Sequence, residues 1–321
     1  MTKADRDNFL RAGAARAVIS PPIGVELAGY GFGPSIGVLA DLEAQALVLQ
    51  SGAETVAIVA VDLLAVGAEF MAGLRRRAQA ELGLAPDHVL VAASHSHSSP
   101  TARPLRQWGA VDERYLSFLE TVILDVIRKA RSAAVEARLG YGLGRVDNLS
   151  QNRRGAAGPI DPGVPVLTFQ RSQATLAEWN PDEEPPTETP VGPLLAVLFN
   201  FACHPVSLHS YRNVLSPDYP GYARASLAAL LGQDPVTLFT LGAAGDINPA
   251  RFYFKRTTPR QARRIGAILG CEAAKIALDP TFVQEPTLRL RSEVVDLPLA
   301  LLPAPAELQR RHSEYAAQAE E

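Results

Sequence analysis

The chain has 321 residues, 47% of them hydrophobic and 20% charged, with a formal net charge of −3. That is an ordinary soluble composition, long enough for one large domain or two small ones. A weakly acidic chain without blocks of like charge excludes nucleic acid as the expected partner.

The N-terminal stretch MTKADRDNFLRAGAARAV has no apolar core of a secretory signal, and no uninterrupted apolar run approaches the ~18 residues of a membrane span. A cytoplasmic location is expected for the chain as given, with secretion left open. Ala46–Leu49 and Val56–Val61 read as strands flanking the turn Ser51-Gly52-Ala53-Glu54. Phe70, Leu74, Ala78 and Leu82 then recur at helical spacing, and Gly83 supplies a stop. Val89–Ala93 reads as a buried strand that opens at once onto Ser94-His95-Ser96-His97-Ser98-Ser99-Pro100. Asp112 is placed to cap a long helix whose apolar face is Tyr115, Leu119, Val122 and Val126. A Gly- and Arg-rich loop around 150–163 precedes a strand over Val164–Phe169, and the polar, Pro- and Glu-rich residues 171–192 suggest a surface excursion.

Further along, Leu194–Cys203 reads as a second buried strand, Asp218–Leu231 as a helix stopped by Gly232, and Val236–Leu241 as a third buried strand. Thr258-Pro259 starts a helix running to about Leu278. From Pro303 a helical pattern runs to Glu321 with no Gly or Asn cap and an acidic end, the wrong sign for a helix C-terminus. It reads either as a frayed terminal helix or as a chain cut inside one. Strands and helices alternate, and the strands are continuously apolar. The expectation is an α/β layered domain with a buried, mostly parallel or mixed sheet, helices on its faces, and no linker clear enough to divide it.

The chemistry gathers where three buried strands end. The first ends in His95 and His97, the second in His204 with His209 close behind, and the third in Gly242–Pro249 around Asp246. Sites in open α/β sheets form outside the carboxyl ends of strands. Imidazole is both a metal ligand and a proton carrier near neutral pH. An H-x-H pair at a strand end can put one ring on a metal and the other toward substrate; if both side chains point the same way, both can be ligands. Asp246 could orient an imidazole, or cap a tight turn. In Asn152-Arg153-Arg154, an arginine could stabilise an oxyanion or hold a substrate carboxylate, or simply face solvent. His209 reads as a surface histidine, and His88 and His312 have no company that suggests a role. Cys203 and Cys271 form neither a disulfide framework nor a metal knuckle, and read as small buried hydrophobes. No P-loop, dinucleotide fingerprint, HExxH or G-x-S-x-G elbow occurs.

Seven stretches in order resemble the N-terminal catalytic domain of the neutral/alkaline ceramidase family: AGYGF at 28–32, VDLL at 61–64, ASHSHSSP at 93–100, QNRR at 151–154, NFACHPVSL at 200–208, SPDYPG at 216–221 and GAAGDINP at 242–249. The chain resembles the shorter prokaryotic relatives more than true ceramidases. Family members are zinc amidases that cleave the N-acyl bond of ceramide. The resemblance implies that His95 and His204 are zinc ligands, that His97 faces substrate as an acid/base or carbonyl-polarising group, and that Arg153 helps hold the reacting oxygen. Asn248 stands where ceramidases carry a serine in GDxSP; an amide cannot be a nucleophile, though it can bind substrate.

The family's other ligands, a glutamate and a tyrosine, have no match before Glu321. The resemblance thus implies a single ceramidase-like domain over residues 1–321 that lacks its C-terminal part, with Asp62 or Asp218 as possible substitute ligands. The reading is a zinc-dependent hydrolase of an amide bond in a small-molecule or sphingolipid-like substrate, with His97, Arg153, Asp246 and Asn248 shaping the chemistry. Its rivals are a metal-dependent esterase or phosphoesterase, and an inactive ceramidase-like domain that binds a lipid or glycoconjugate.

Overall fold

The computed structural model describes residues 9–30, 33–105, 110–155, 157–172, 192–211, 213–232, 234–250, 258–299 and 301–320. The expected excursion at 171–192 lies almost wholly outside the described residues. The chain divides into two compact units, residues up to Leu290 and Arg291–Glu321.

The first unit is built on one mixed sheet. Its strands are β1 (Arg11–Val18), β3 (Glu43–Ser51), β4 (Glu54–Val61), β5 (Val89–Ala93), β6 (Val135–Arg145), β8 (Gly163–Arg171), β9 (Leu194–Phe201), β11 (Val236–Leu241) and β13 (Thr281–Phe282). Short pairs β2 (Gly37–Val38) with β10 (Val214–Leu215), and β7 (Ser150–Asn152) with β12 (Ile247–Pro249), lie outside it. The sheet order is β11-β9-β8-β6-β1-β3-β4-β5, with β13 added on β6. Only β11–β9 and β4–β5 are parallel; the other pairings are antiparallel.

The continuous apolar strands have a physical reason, because both of their faces are covered. In β3, Ala44, Ala46 and Val48 enter a core shared with helices α1 (Ala68–Leu82) and α2 (Glu113–Ser132), through Leu74, Leu119 and Ile123. The alternate residues Leu47 and Leu49 enter a second core with Ala60, Phe169, Ala196 and Leu238, which contains no helical residue. On the far half, Val197, Phe199 and Phe201 of β9 pack with α3 (Asp218–Leu231) and α4 (Pro259–Leu278). The sheet therefore folds on itself. Its two halves face each other, and helices cover only the outer faces.

Local signals place the helices. The Asp112 side chain accepts from the Arg114 and Tyr115 amides, and Thr258 caps α4 ahead of Pro259. Gly83 and Gly232 end α1 and α3 in the left-handed conformation. Two long strands, β1 and β6, escape the sequence pattern, as do the short strands β2, β7, β10, β12 and β13. In β6 the reason is close packing: a Cβ at Gly142 would stand 2.4 Å from Ile276 Cγ2, and one at Gly144 2.6 Å from Glu272 Oε1. Both partners lie on α4, so these glycines let the helix settle onto the strand. The second unit carries an exposed stretch without regular secondary structure and helix α5 (Pro305–Glu320), the terminal helix expected from Pro303. Among the described residues no helix is long and apolar enough to cross a membrane.

Candidate metal centre

Beyond β5 the backbone is held by the continuation of β4. The Ser94 amide donates to the Val61 carbonyl and the His95 amide to the Leu63 carbonyl, both at 2.9 Å. His95 then adopts φ +66°, a left-handed conformation that a non-glycine residue pays for with strain. The rings of His95 and His97 stand 5.0 Å apart across this turn. Two of the small hydroxyls, Ser96 and Ser99, tie the buried loop together, while those of Ser94 and Ser98 are buried without a partner. Ser96 Oγ donates to the Ser216 carbonyl at 2.7 Å and receives the Ser98 amide at 3.1 Å, while Ser99 Oγ donates to the Ser96 carbonyl at 2.8 Å.

Beyond β9, His204 is fixed at both ends. Its amide donates to the Ile247 carbonyl at 2.8 Å, and its ring Nδ1 lies 2.7 Å from the Ala244 carbonyl. His95 Nδ1 lies 2.7 Å from the Leu64 carbonyl in the same way. A carbonyl only accepts, so in both rings the proton sits on Nδ1 and Nε2 offers a lone pair. These two Nε2 atoms face each other at 3.1 Å. Two lone pairs at that distance repel unless a proton or a metal ion lies between them. Two nitrogens sharing one tetrahedral zinc stand about 3.3 Å apart, given Zn–N near ~2.05 Å. His97 completes the group, the ligand nitrogens of all three rings lying within 4.8 Å of one another. The three histidines therefore fit a metal ion, with main-chain carbonyls setting the tautomer of two of them.

The surroundings keep His97 and His204 neutral. Burial above all, then the like charges of His95 and His204, lowers His97 to about 3, with the Gly29 backbone opposing and Arg153 adding the least. His204 falls to about 4, again chiefly through burial, with the Ala244 bond opposing and His95 and Arg153 assisting. Arg153 is exposed, and its charge is felt at both rings.

No family model matches the chain. Among solved structures, the neutral ceramidase from Pseudomonas aeruginosa superposes with a TM-score of 0.70 at 22% identity, over 85% of this chain and 45% of that one. The chain has a neutral ceramidase-like fold. A ceramidase complexed with C2 gives a TM-score of 0.68 at 21% identity, covering 85% of this chain and 44% of that one. The chain thus spans less than half the length of the structures it matches.

Within this ceramidase-like fold the other expected residues take distinct places. Asp246 orients no imidazole. Its carboxylate accepts from Asn152 Nδ2 at 3.0 Å, and its carbonyl accepts the Arg153 amide at 2.7 Å, so it braces the loop that carries Arg153. Asn248 is buried in β12 opposite Gln151, and its Oδ1 has no hydrogen-bond partner. Neither substitute carboxylate joins the histidines. Asp62 is paired with Arg224 at 2.6 Å. Asp218 is fully buried and accepts the Ser207 amide at 2.8 Å, holding the loop after His204. Tyr30 and His209, passed over in the sequence, belong to the same ring cluster: Tyr30 lies 5.1 Å from His97 and 5.1 Å from His209. Their signal was the AGYGF stretch and the spacing from His204, but nothing in either predicts a mutual contact. Of the two cysteines, Cys203 is buried as expected and Cys271 is exposed.

The lowered histidine pKa values should make the metal-free protein acid-sensitive. The unfolded chain takes up protons near pH 6.5 that the folded site refuses until about 3 for His97 and about 4 for His204. Stability is present above pH 6.5 and falls as pH drops through that window, each unit of separation being worth about 1.4 kcal/mol. Urea midpoints of the metal-free protein should fall between pH 7 and 5. The slope should flatten in His97→Gln, and an equal slope would contradict this origin.

Proposed function

We propose that the protein is a metal-dependent hydrolase of amide bonds, with zinc as the metal and a small N-acyl or sphingolipid-like amide as substrate. The observation that carries this reading is the pair of Nε2 atoms facing each other at 3.1 Å, each ring fixed through Nδ1 by a main-chain carbonyl. When bound, zinc supplies the Lewis acidity that polarises a carbonyl and acidifies water. His95 and His204 would hold it through Nε2. His97 presents a third imidazole whose ring nitrogens are both buried and without a hydrogen-bond partner. Its low pKa suits donation of a lone pair, to the metal or to a proton in transfer, over storage of a proton. Arg153 contributes positive charge where an oxyanion develops. Asp246 and Asn152 keep the Arg153 loop in register.

A phosphoesterase with two metals is less well supported, because the metal-capable group among the described residues contains no carboxylate. A binding-only domain is the second reading, favoured by Asn248 at the position the resemblance gives to serine. Assay of fatty-acid release from N-acyl amides separates them. Activity should disappear with a chelator and return with zinc. Stoichiometric zinc without turnover of any N-acyl amide would favour the binding domain, and chelator-insensitive turnover would remove the metal from the account.

A further inference from the structure

His97 differs from its two neighbours in what holds it. His95 and His204 are each anchored by a short Nδ1 hydrogen bond to a carbonyl, whereas neither nitrogen of His97 has a partner in hydrogen-bond geometry and only the Gly29 main chain lies beside its ring. An imidazole without such an anchor turns easily about its last side-chain torsion, which has broad wells. Packing takes the place of the bond. Gly29 lies against the ring so closely that a Cβ there would stand 2.6 Å from Nδ1 and 2.7 Å from Cγ, and its φ of +105° is itself a glycine conformation. The Tyr30 ring packs on His97 at 5.1 Å with its plane tilted by 56°, and meets His209 edge-on at 5.1 Å. The Ala28 amide donates to the Ser99 carbonyl at 3.0 Å, which ties this segment to the loop bearing His97.

We propose that Tyr30 is a positioning residue for His97. Its ring, with Gly29 beside it and His209 behind, sets the imidazole plane without occupying either nitrogen. A site group must be held to within roughly 10–20° to be productive, and here an aromatic contact does so while leaving both nitrogens available. The proposal rests on the reading that His97 works in the metal centre.

The test compares full-length wild type with Tyr30→Phe, Tyr30→Ala and His209→Ala. Two quantities are measured: the histidine ring resonances in long-range 1H–15N spectra of the metal-free protein, and zinc affinity by competition with a chromophoric chelator. Tyr30→Phe should keep wild-type values for both. Tyr30→Ala should shift or broaden the His97 resonances while leaving those of His95 and His204 in place, and should weaken zinc roughly tenfold or more, the scale of losing an outer partner. His209→Ala should move the His97 resonances in the same direction by less. The unchanged His95 and His204 signals report that the fold is retained. A Tyr30→Ala protein whose His97 resonances match wild type overturns the proposal. If wild type itself binds no zinc, the metal reading fails separately, and the metal-free spectra still decide the role of Tyr30.

Discussion

Replacing Arg224 by leucine should cost about 3–5 kcal/mol of stability, the range for removing one partner of a buried ion pair. Arg224 is 5% exposed and Asp62 1%. The guanidinium grips the carboxylate with Nη1 on Oδ1 at 2.9 Å and Nη2 on Oδ2 at 2.6 Å, and Nη2 reaches Glu43 at 3.4 Å. Without Arg224, the Asp62 carboxylate keeps the Glu43 amide at 3.0 Å but has no countercharge. The pair joins Asp62, at the end of β4, to α3 on the other half of the folded sheet, so its loss loosens the seam on which the site is built. Leucine at both positions removes the stranded charge, and the double variant should be more stable than Arg224→Leu. Urea unfolding of the three proteins measures this. A single variant within about 1 kcal/mol of wild type would mean that the carboxylate is not desolvated as the structure has it.

The second large effect concerns metal. His95→Ala and His204→Ala should each weaken zinc binding by more than the roughly 10- to 100-fold typical of losing an outer partner, because each removes one of the two facing nitrogens. His97→Ala should fall within that range, and His88→Ala should change nothing. His88 belongs to a different neighbourhood, with Nδ1 2.9 Å from the Thr55 carbonyl. Competition titration against a chelator of known affinity reads all four. Equal, small losses at His95, His97 and His204 would mean that zinc is bound elsewhere.

Much of this arrangement was legible in the sequence where a residue does local work. Val89–Ala93, Gly83, Asp112 and Thr258-Pro259 mark element ends because strand burial and helix capping depend on a few adjacent residues. The gathering of His95, His97 and His204 followed from two strand ends carrying polar, His-bearing loops. What covers the inner face of the strands was not legible, since a buried strand looks alike under a helix or under another sheet. β1 and β6 were missed because their Ala, Gly and Arg residues answer to helices packed close by. A Cβ at Gly13, for instance, would stand 2.1 Å from the Ala130 carbonyl of α2. The anchors of His95 and His204 are main-chain carbonyls, which leave no trace in residue identity. Tyr30 touches His97 only through the fold.

Zinc stoichiometry tests the central claim most directly. Full-length protein equilibrated with buffered zinc and freed of excess should carry one zinc per chain by elemental analysis, and the His95→Ala/His204→Ala double variant should carry none. No zinc in the wild type at saturation, or an equal amount in the double variant, would contradict a metal centre built from these histidines.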